Sequence, residues 1–338
     1  MTHSKPGGID TYTLDPIHVA FIGCRGCGKT SLMTSMFKEI QKKRISCVTA
    51  DPQTIGILSD SHTDMLRMLE EVEQNGTIVT PTVTPTEKET EFIFTGSSIQ
   101  DASFEKKRFH YPFVFTDLPG NWYARESATK AEIERKVADY IRRASVCLLT
   151  IDAPALMSGD YTHQLYNRPD IILNWFNKCL GSLKGHNVRV VFVLSRCETF
   201  VQNEDSRREI FERVRQSYAP LIDVLRTASI DICGTWVETL GGVQFLNYRR
   251  NAEGIKVPVF HKTGDYVPRN CEIPLLLTLQ KTAENMKLAL EEKRGPWRVL
   301  LDWLGFSHYD LAIKGVEEIL RELERGLSMA KDEAMFEL

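Results

Sequence analysis

The chain has 338 residues, 42% of them hydrophobic and 26% charged, with a formal net charge of −3. That is enough apolar material for one large domain or two modest ones, and a pI near 6.3 excludes the basic footprint of a nucleic-acid partner. No apolar run is long enough to span a bilayer, and residues 1–16 are polar with no signal-peptide core, so a cytoplasmic chain with a flexible N-terminus and no transmembrane segment is expected.

The first informative stretch is the apolar run 19–22, which reads as a buried strand and breaks at Gly23 into G-x-x-x-x-G-K-T, with Gly28, Lys29 and Thr30. Helical spacing resumes at once through Leu32, Met33, Met36 and Phe37. Strand, glycine loop and helix in this order are the context of a phosphate-binding loop. Its glycines let backbone N–H groups turn around a triphosphate, and the helix adds the positive end of its dipole. The candidate binding residues are therefore Gly23, Cys24, Arg25, Gly26, Cys27, Gly28, Lys29, Thr30 and Ser31. Lys29 is placed to reach the outer phosphates and Thr30 to ligate magnesium. Cys24 and Cys27 form a C-x-x-C only by falling on variable positions of that loop, where zinc or redox chemistry would compete with phosphate; reduced, mostly buried thiols are expected.

Further along, residues 45–49 are β-prone and 64–72 amphipathic, and the threonine-proline stretch 77–86 reads as an exposed, movable loop. Strands are predicted at 91–95 and 111–116, joined by a polar link without a convincing helix, hence antiparallel. The second ends in Asp117-Leu118-Pro119-Gly120, where the aspartate can hold the magnesium shell and the Gly120 N–H can face the terminal phosphate. A helix at 129–143, a strand at 145–151, a helix at 171–183 and a strand at 188–194 follow. The last of these leads into Ser195-Arg196-Cys197-Glu198. A charged helix over 206–227, interrupted at Pro220, precedes the last core strand at 230–233. Residues 242–267 read as an inserted hairpin or flap, and 274–293 as a helix stopped by Gly295-Pro296. The expected fold is α/β: a three-layer α/β/α P-loop NTPase domain over 17–294, its sheet mainly parallel with one antiparallel strand, plus a helical C-terminal tail over 295–338.

With these motifs in order, the chain resembles the TRAFAC class of P-loop GTPases, the Ras-like and translation-factor-like group. Within it the chain looks most like the bacterial double-GTPase-like proteins, known mainly as components of predicted conflict or defence systems. The resemblance implies GTP or GDP with Mg2+ as ligands, Lys29 on the phosphates, Thr30 and Asp117 on the metal, and Gly120 in the second phosphate-sensing loop. It points to Thr84 as the first switch threonine, with Thr82 and Thr86 as rivals. Where the class carries N/T-K-x-D for guanine, this chain has Ser195, Arg196, Cys197 and Glu198; the carboxylate is kept one methylene further out, and the arginine can still lie against a base. Asn121 stands where many relatives have a water-orienting glutamine, implying slow hydrolysis. Arg25 occupies a loop position that is glycine in Ras-like proteins, and is a candidate charge stabiliser in cis or in trans.

The implied function is a GTP-binding switch with slow, partner-stimulated hydrolysis. The alternatives are a non-hydrolysing nucleotide-binding interaction module and an ATPase on the same loop. In the tail, Leu311, Val316, Ile319, Leu320, Leu323 and Leu327 form an apolar stripe that either docks on its own domain or serves a protein partner or homo-oligomer.

Overall fold

The computed structural model describes residues 2–4, 10–24, 26–42, 48–75, 78–79, 90–102, 105–119, 122, 130–183, 187–250, 256–293, 308–328 and 334–338. The chain opens with β1 (Thr2–Ser4) antiparallel to β2 (Asp10–Thr13). β2 and then β3 (Ile17–Ile22) both run parallel to β7 (Glu105–Asp117), one after the other, with Leu14 N–H bonded to His110 O at 3.0 Å between them. The described part of residues 1–16 is therefore a backward extension of the phosphate-loop strand rather than the flexible leader expected: the polar run 10–13 bonds through its backbone to a strand long enough to carry both segments.

Strand β6 (Thr90–Ala102) covers the other edge of β7 in antiparallel register from Thr90 opposite Asp117 to Ala102 opposite Glu105. β4 (Val48–Ala50) is antiparallel to β6 in turn. On the far side, β3 pairs with β8 (Ala144–Asp152), β8 with β9 (Arg189–Ser195) and β9 with β10 (Asp231–Trp236), all in parallel. The sheet is mainly parallel, and its antiparallel pairing extends beyond β6 to β1, β4 and β13 (Met335–Phe336), which lies antiparallel on β10. β10 was expected as the last core strand; β13 displaces it from the edge. Gly234 makes this possible, because a Cβ there would stand 2.3 Å from the Phe336 ring.

Side chains alternate across the parallel strands, and both faces are covered. Val19, Phe21, Phe94, Phe115, Val191 and Val193 face a layer made by α1 (Lys29–Lys42), α9 (Glu272–Lys293) and α10 (His308–Ser328). Ala20, Ile22, Cys147, Leu149, Val190 and Phe192 face α3 (Lys130–Arg143), α6 (Pro169–Leu183), α7 (Glu204–Ser217) and α8 (Ala219–Thr227). The charged stretch 206–227 thus forms two helices, with Tyr218 ending α7 and opening α8, where Pro220 is tolerated in the first turn. Two short helices that periodicity did not show, α4 (Ala153–Met157) and α5 (Asp160–Tyr166), lie between β8 and α6.

The tail is part of this core. Ala312, Ile313, Val316, Ile319, Leu323 and Leu327 of α10 are buried in the first cluster, and Tyr111 Oη donates to Ala312 O at 3.0 Å. Each buried aliphatic side chain of this size contributes about 1.5–3 kcal/mol, so the stripe is used within the chain, and docking on its own domain replaces the partner-helix alternative. A boundary at 294 does not separate two packed bodies.

A second, three-stranded sheet stands beside the first. β11 (Gly241–Arg250) and β12 (Lys256–Tyr266) form the hairpin expected over 242–267, and β5 (Ile78–Val79) adds to β12. β5 comes from the stretch read as a loop, 77–86; the remainder of that stretch lies outside the described residues. The small apolar contact of Leu69 with Val243 and Phe260 seats this sheet on α2 (Pro52–Asn75). Among the described residues no helix is long and apolar enough to cross a membrane.

Candidate functional site

The loop after β3 is shaped by its lack of side chains. A Cβ on Gly23 would lie 2.8 Å from Cys27 Sγ and 3.1 Å from Thr150 Cβ. Gly28 takes φ 87° and Gly26 φ 78°, the left-handed region that glycine adopts at no steric cost. Leu32 N–H bonds to Gly28 O at 2.8 Å, so α1 begins on the loop itself and its first N–H groups face outward from the sheet's C-terminal edge. Cys24 and Cys27 are free buried thiols, both pushed up by burial, which keeps them protonated and makes them floor rather than nucleophiles.

Lys29 is 8% exposed and donates from Nζ to Gly23 O at 2.7 Å. Its ammonium also stands 3.6 Å from Asp117 Oδ1. Burial, the largest single influence, lowers the Lys29 pKa; the Asp117 carboxylate, with Cys27 and Cys24 adding to it, more than offsets that and holds the ammonium above its ordinary value. Burial raises the Asp117 carboxyl, with Lys29 pulling back. Asp117 is placed by Leu118 N–H bonding to Phe21 O at 3.2 Å, one strand over from the loop. Its Oδ1 is buried without a hydrogen-bond partner, while Thr30 is exposed and Ser31 half-buried at the start of α1. A buried carboxylate oxygen with no hydrogen-bond partner and an exposed threonine hydroxyl are hard oxygen donors of the kind that fit Mg2+.

The segment after β9 closes on the same loop. Ser195 Oγ reaches Cys27 O at 2.8 Å and Ile151 O at 3.1 Å, tying loop to sheet. Arg196 has φ 61°, and its guanidinium lies 3.6 Å from the place a Gly28 Cβ would occupy. Its Nη1 donates to Asp152 Oδ1 at 3.0 Å, and it stacks on the Phe260 ring at 5.7 Å. Glu198 is buried, which raises its pKa. Its Oε1 accepts from Leu240 N at 2.9 Å and Gly241 N at 3.4 Å, and its Oε2 has no partner. One carboxylate oxygen thus holds the loop that starts the hairpin, and the other is left unmet.

The structure brings Gly23, Cys24, Gly26, Cys27, Gly28, Lys29, Thr30 and Ser31 together with Asp117, Ser195 and Arg196, and Glu198 stands behind them on the hairpin side. Arg25, Gly120, Asn121 and Thr84, with its rivals Thr82 and Thr86, lie outside the described residues. Sequence reasoning missed Asp152, Tyr248 and Phe260. Asp152 caps α4 by accepting from Ala155 N at 3.2 Å, and the same Oδ2 accepts from Tyr248 Oη at 2.9 Å. Tyr248 stacks on Tyr166 with centroids 5.0 Å apart. The Asp-Ala-Pro start of α4 was a readable capping signal; nothing local marks Tyr248 or Phe260, which reach the site through the hairpin's fold.

No curated protein matches the chain. The family model for Double-GTPase 2 does, over residues 17–232, from the first residue of β3 into β10. That span holds the phosphate loop, Asp117 and residues 195–198, and it ends before the hairpin, α9 and α10. The chain belongs to the Double-GTPase 2 family and is a P-loop GTPase of the double-GTPase type.

Proposed function

We propose that the protein is a guanine-nucleotide switch that hydrolyses GTP slowly by itself and faster with a protein partner. The observation that carries this reading is Lys29, a buried and protonated ammonium resting on Gly23 O beside an Asp117 oxygen with an unmet lone pair. Such a cation is pre-set to exchange a backbone carbonyl for the outer phosphates. The loop N–H groups and the α1 dipole would share the phosphate charge. Thr30, Asp117 and the first switch threonine, Thr84 or a neighbour, would hold Mg2+, which when bound neutralises charge on the terminal phosphates. Glu198 Oε2 is the acceptor offered to the guanine N1–H and amino group, and Arg196 supplies the flat cation beside the base. Asn121 would orient the attacking water, and Arg25 would add positive charge in cis or from a second chain. A partner would act on a surface other than the α10 stripe, which the core already covers.

The competing reading is an interaction module that keeps nucleotide as a structural ligand. It draws on the hairpin closed over Arg196, with Phe260 on the guanidinium and Tyr248 latched to Asp152. Phosphate release from GTP, with Lys29→Ala as control, separates the two. Slow release clearly above the control supports the switch; GTP bound without release above the control overturns hydrolysis and leaves the module.

A further inference from the structure

Arg168 is a buried cation whose ion pair, with Asp170, is long and half-exposed. It lies between α5 and α6, 8% exposed, at φ 48°, a conformation that a side-chain-bearing residue adopts rarely and at a cost. The loop is fixed at the level of the phosphate loop by its neighbour. Asn167 Oδ1 accepts from Asp152 N at 2.8 Å, and Asn167 Nδ2 donates to Asp152 O at 3.1 Å. Asp152 ends β8, and Thr150 of that strand lies 3.1 Å from where a Gly23 Cβ would stand. Arg168 is thus held at the C-terminal edge of the parallel strands, where α/β sheets of this kind receive ligands.

The guanidinium itself is under-bonded. Nε and Nη2 have no hydrogen-bond partner, and the nearest anion, Asp170 Oδ1, stands 3.6 Å from Nε on a side chain that is 43% exposed. A guanidinium does not shed its proton to escape burial, and a charge buried with unmet donors is expensive unless an anion arrives. The phosphate loop is within its field: burial and Cys27 raise the Cys24 thiol, and Lys29 and Arg168 are the cations that pull it back.

We propose that Arg168 is a second cationic ligand of the nucleotide's terminal phosphate, supplied in cis from the loop between α5 and α6. The inference rests on the nucleotide-switch reading above and names the group that distinguishes its two states. A guanidinium fork matches two oxygens of one phosphoryl group, so Arg168 leaves Asp170 for a terminal phosphate that the triphosphate has and the diphosphate lacks. Loss of this side chain then falls on the triphosphate.

The test uses the full chain with Arg168→Gln and Arg168→Lys, titrated with GDP and with a non-hydrolysable GTP analogue in magnesium, and melted without nucleotide. Arg168→Gln is expected to hold GDP within about threefold of wild type and to lose the triphosphate analogue by about tenfold or more, the effect of one charge-assisted contact. Its nucleotide-free melting temperature should not fall, since a buried charge with unmet donors and only a long ion pair has been removed. Arg168→Lys, charged but without the fork, should fall between, and its ratio of the two affinities decides the matter should the glutamine variant not fold. Equal losses for both nucleotides, or unchanged binding of both, would make Arg168 a structural partner of Asp170 and overturn the proposal. Wild-type protein that binds neither nucleotide would overturn the switch reading itself, and this inference with it.

Discussion

Ser195 shows how a single hydroxyl joins the sheet to the phosphate loop. Its single hydroxyl proton is shared between Cys27 O and Ile151 O, both inside the protein, so Ser195→Ala removes that buried tie between loop and sheet. We expect a loss of about 1–3 kcal/mol in denaturant unfolding, together with weaker nucleotide binding; a cost under about 0.5 kcal/mol would mean the loop is held by other bonds. Glu238 behaves in the opposite sense. Burial raises its carboxyl to about 7, with Arg269 Nη1 at 3.3 Å opposing and Glu198 adding to the rise. The folded protein therefore keeps a proton that the unfolded chain releases above its ordinary value of 4.5. This group's contribution is fully favourable below that value and is lost as pH rises through 7. Unfolding at pH 5 and pH 8 should show wild type losing roughly 2 kcal/mol more than Glu238→Gln over that interval. Equal losses would place the Glu238 carboxyl near its ordinary range.

At the level of elements, the hairpin and α10 carry the tests. Tyr248→Phe removes the 2.9 Å bond from β11 to Asp152 while keeping the ring stacked on Tyr166. Amide exchange across β11 and β12 should quicken by several-fold, a local opening set by about one hydrogen bond, with β8 and β9 unchanged; unchanged exchange in the hairpin would show that the latch bears no load. Leu323→Ala should cost about 2–5 kcal/mol in unfolding because Leu323 is fully buried in the first core cluster. A loss below about 1 kcal/mol would mean that α10 docks loosely. Sequence periodicity made α10 and its stripe legible, since leucines at three and four with charges between them can only be a helix with one apolar face. What covers that face was not legible, because Tyr111 and α9 reach it through tertiary packing. The same limit hid β2, whose polar residues give no apolar alternation, and β13, whose seat depends on Gly234 lying opposite Phe336. The strand, glycine turn and helix start over 19–30 were legible at the described positions, since strand pattern and glycine placement are local chemistry. Glu198 was legible as a carboxylate after β9, but its bond to Leu240 required the hairpin to be folded.

The molecule as a whole is one sheet with a helical layer on each face and the nucleotide loop at its C-terminal edge, roofed on one side by the small sheet β11–β12–β5. The matched family span ends inside β10, yet α9, α10 and β13 supply much of the first core layer and the sheet's edge. The core of the family domain in this chain is therefore completed by residues beyond the matched span. β5 also links the stretch that carries the switch threonine candidates to β12, where Phe260 lies on Arg196. The most direct test of the central claim is a calorimetric titration of the full chain with GTP, GDP and ATP in magnesium, with Lys29→Ala beside it. The account predicts that GTP and GDP bind, that ATP does not compete, and that the variant loses GTP. Equal binding of ATP and GTP, or GTP binding that survives the loss of Lys29, would contradict it.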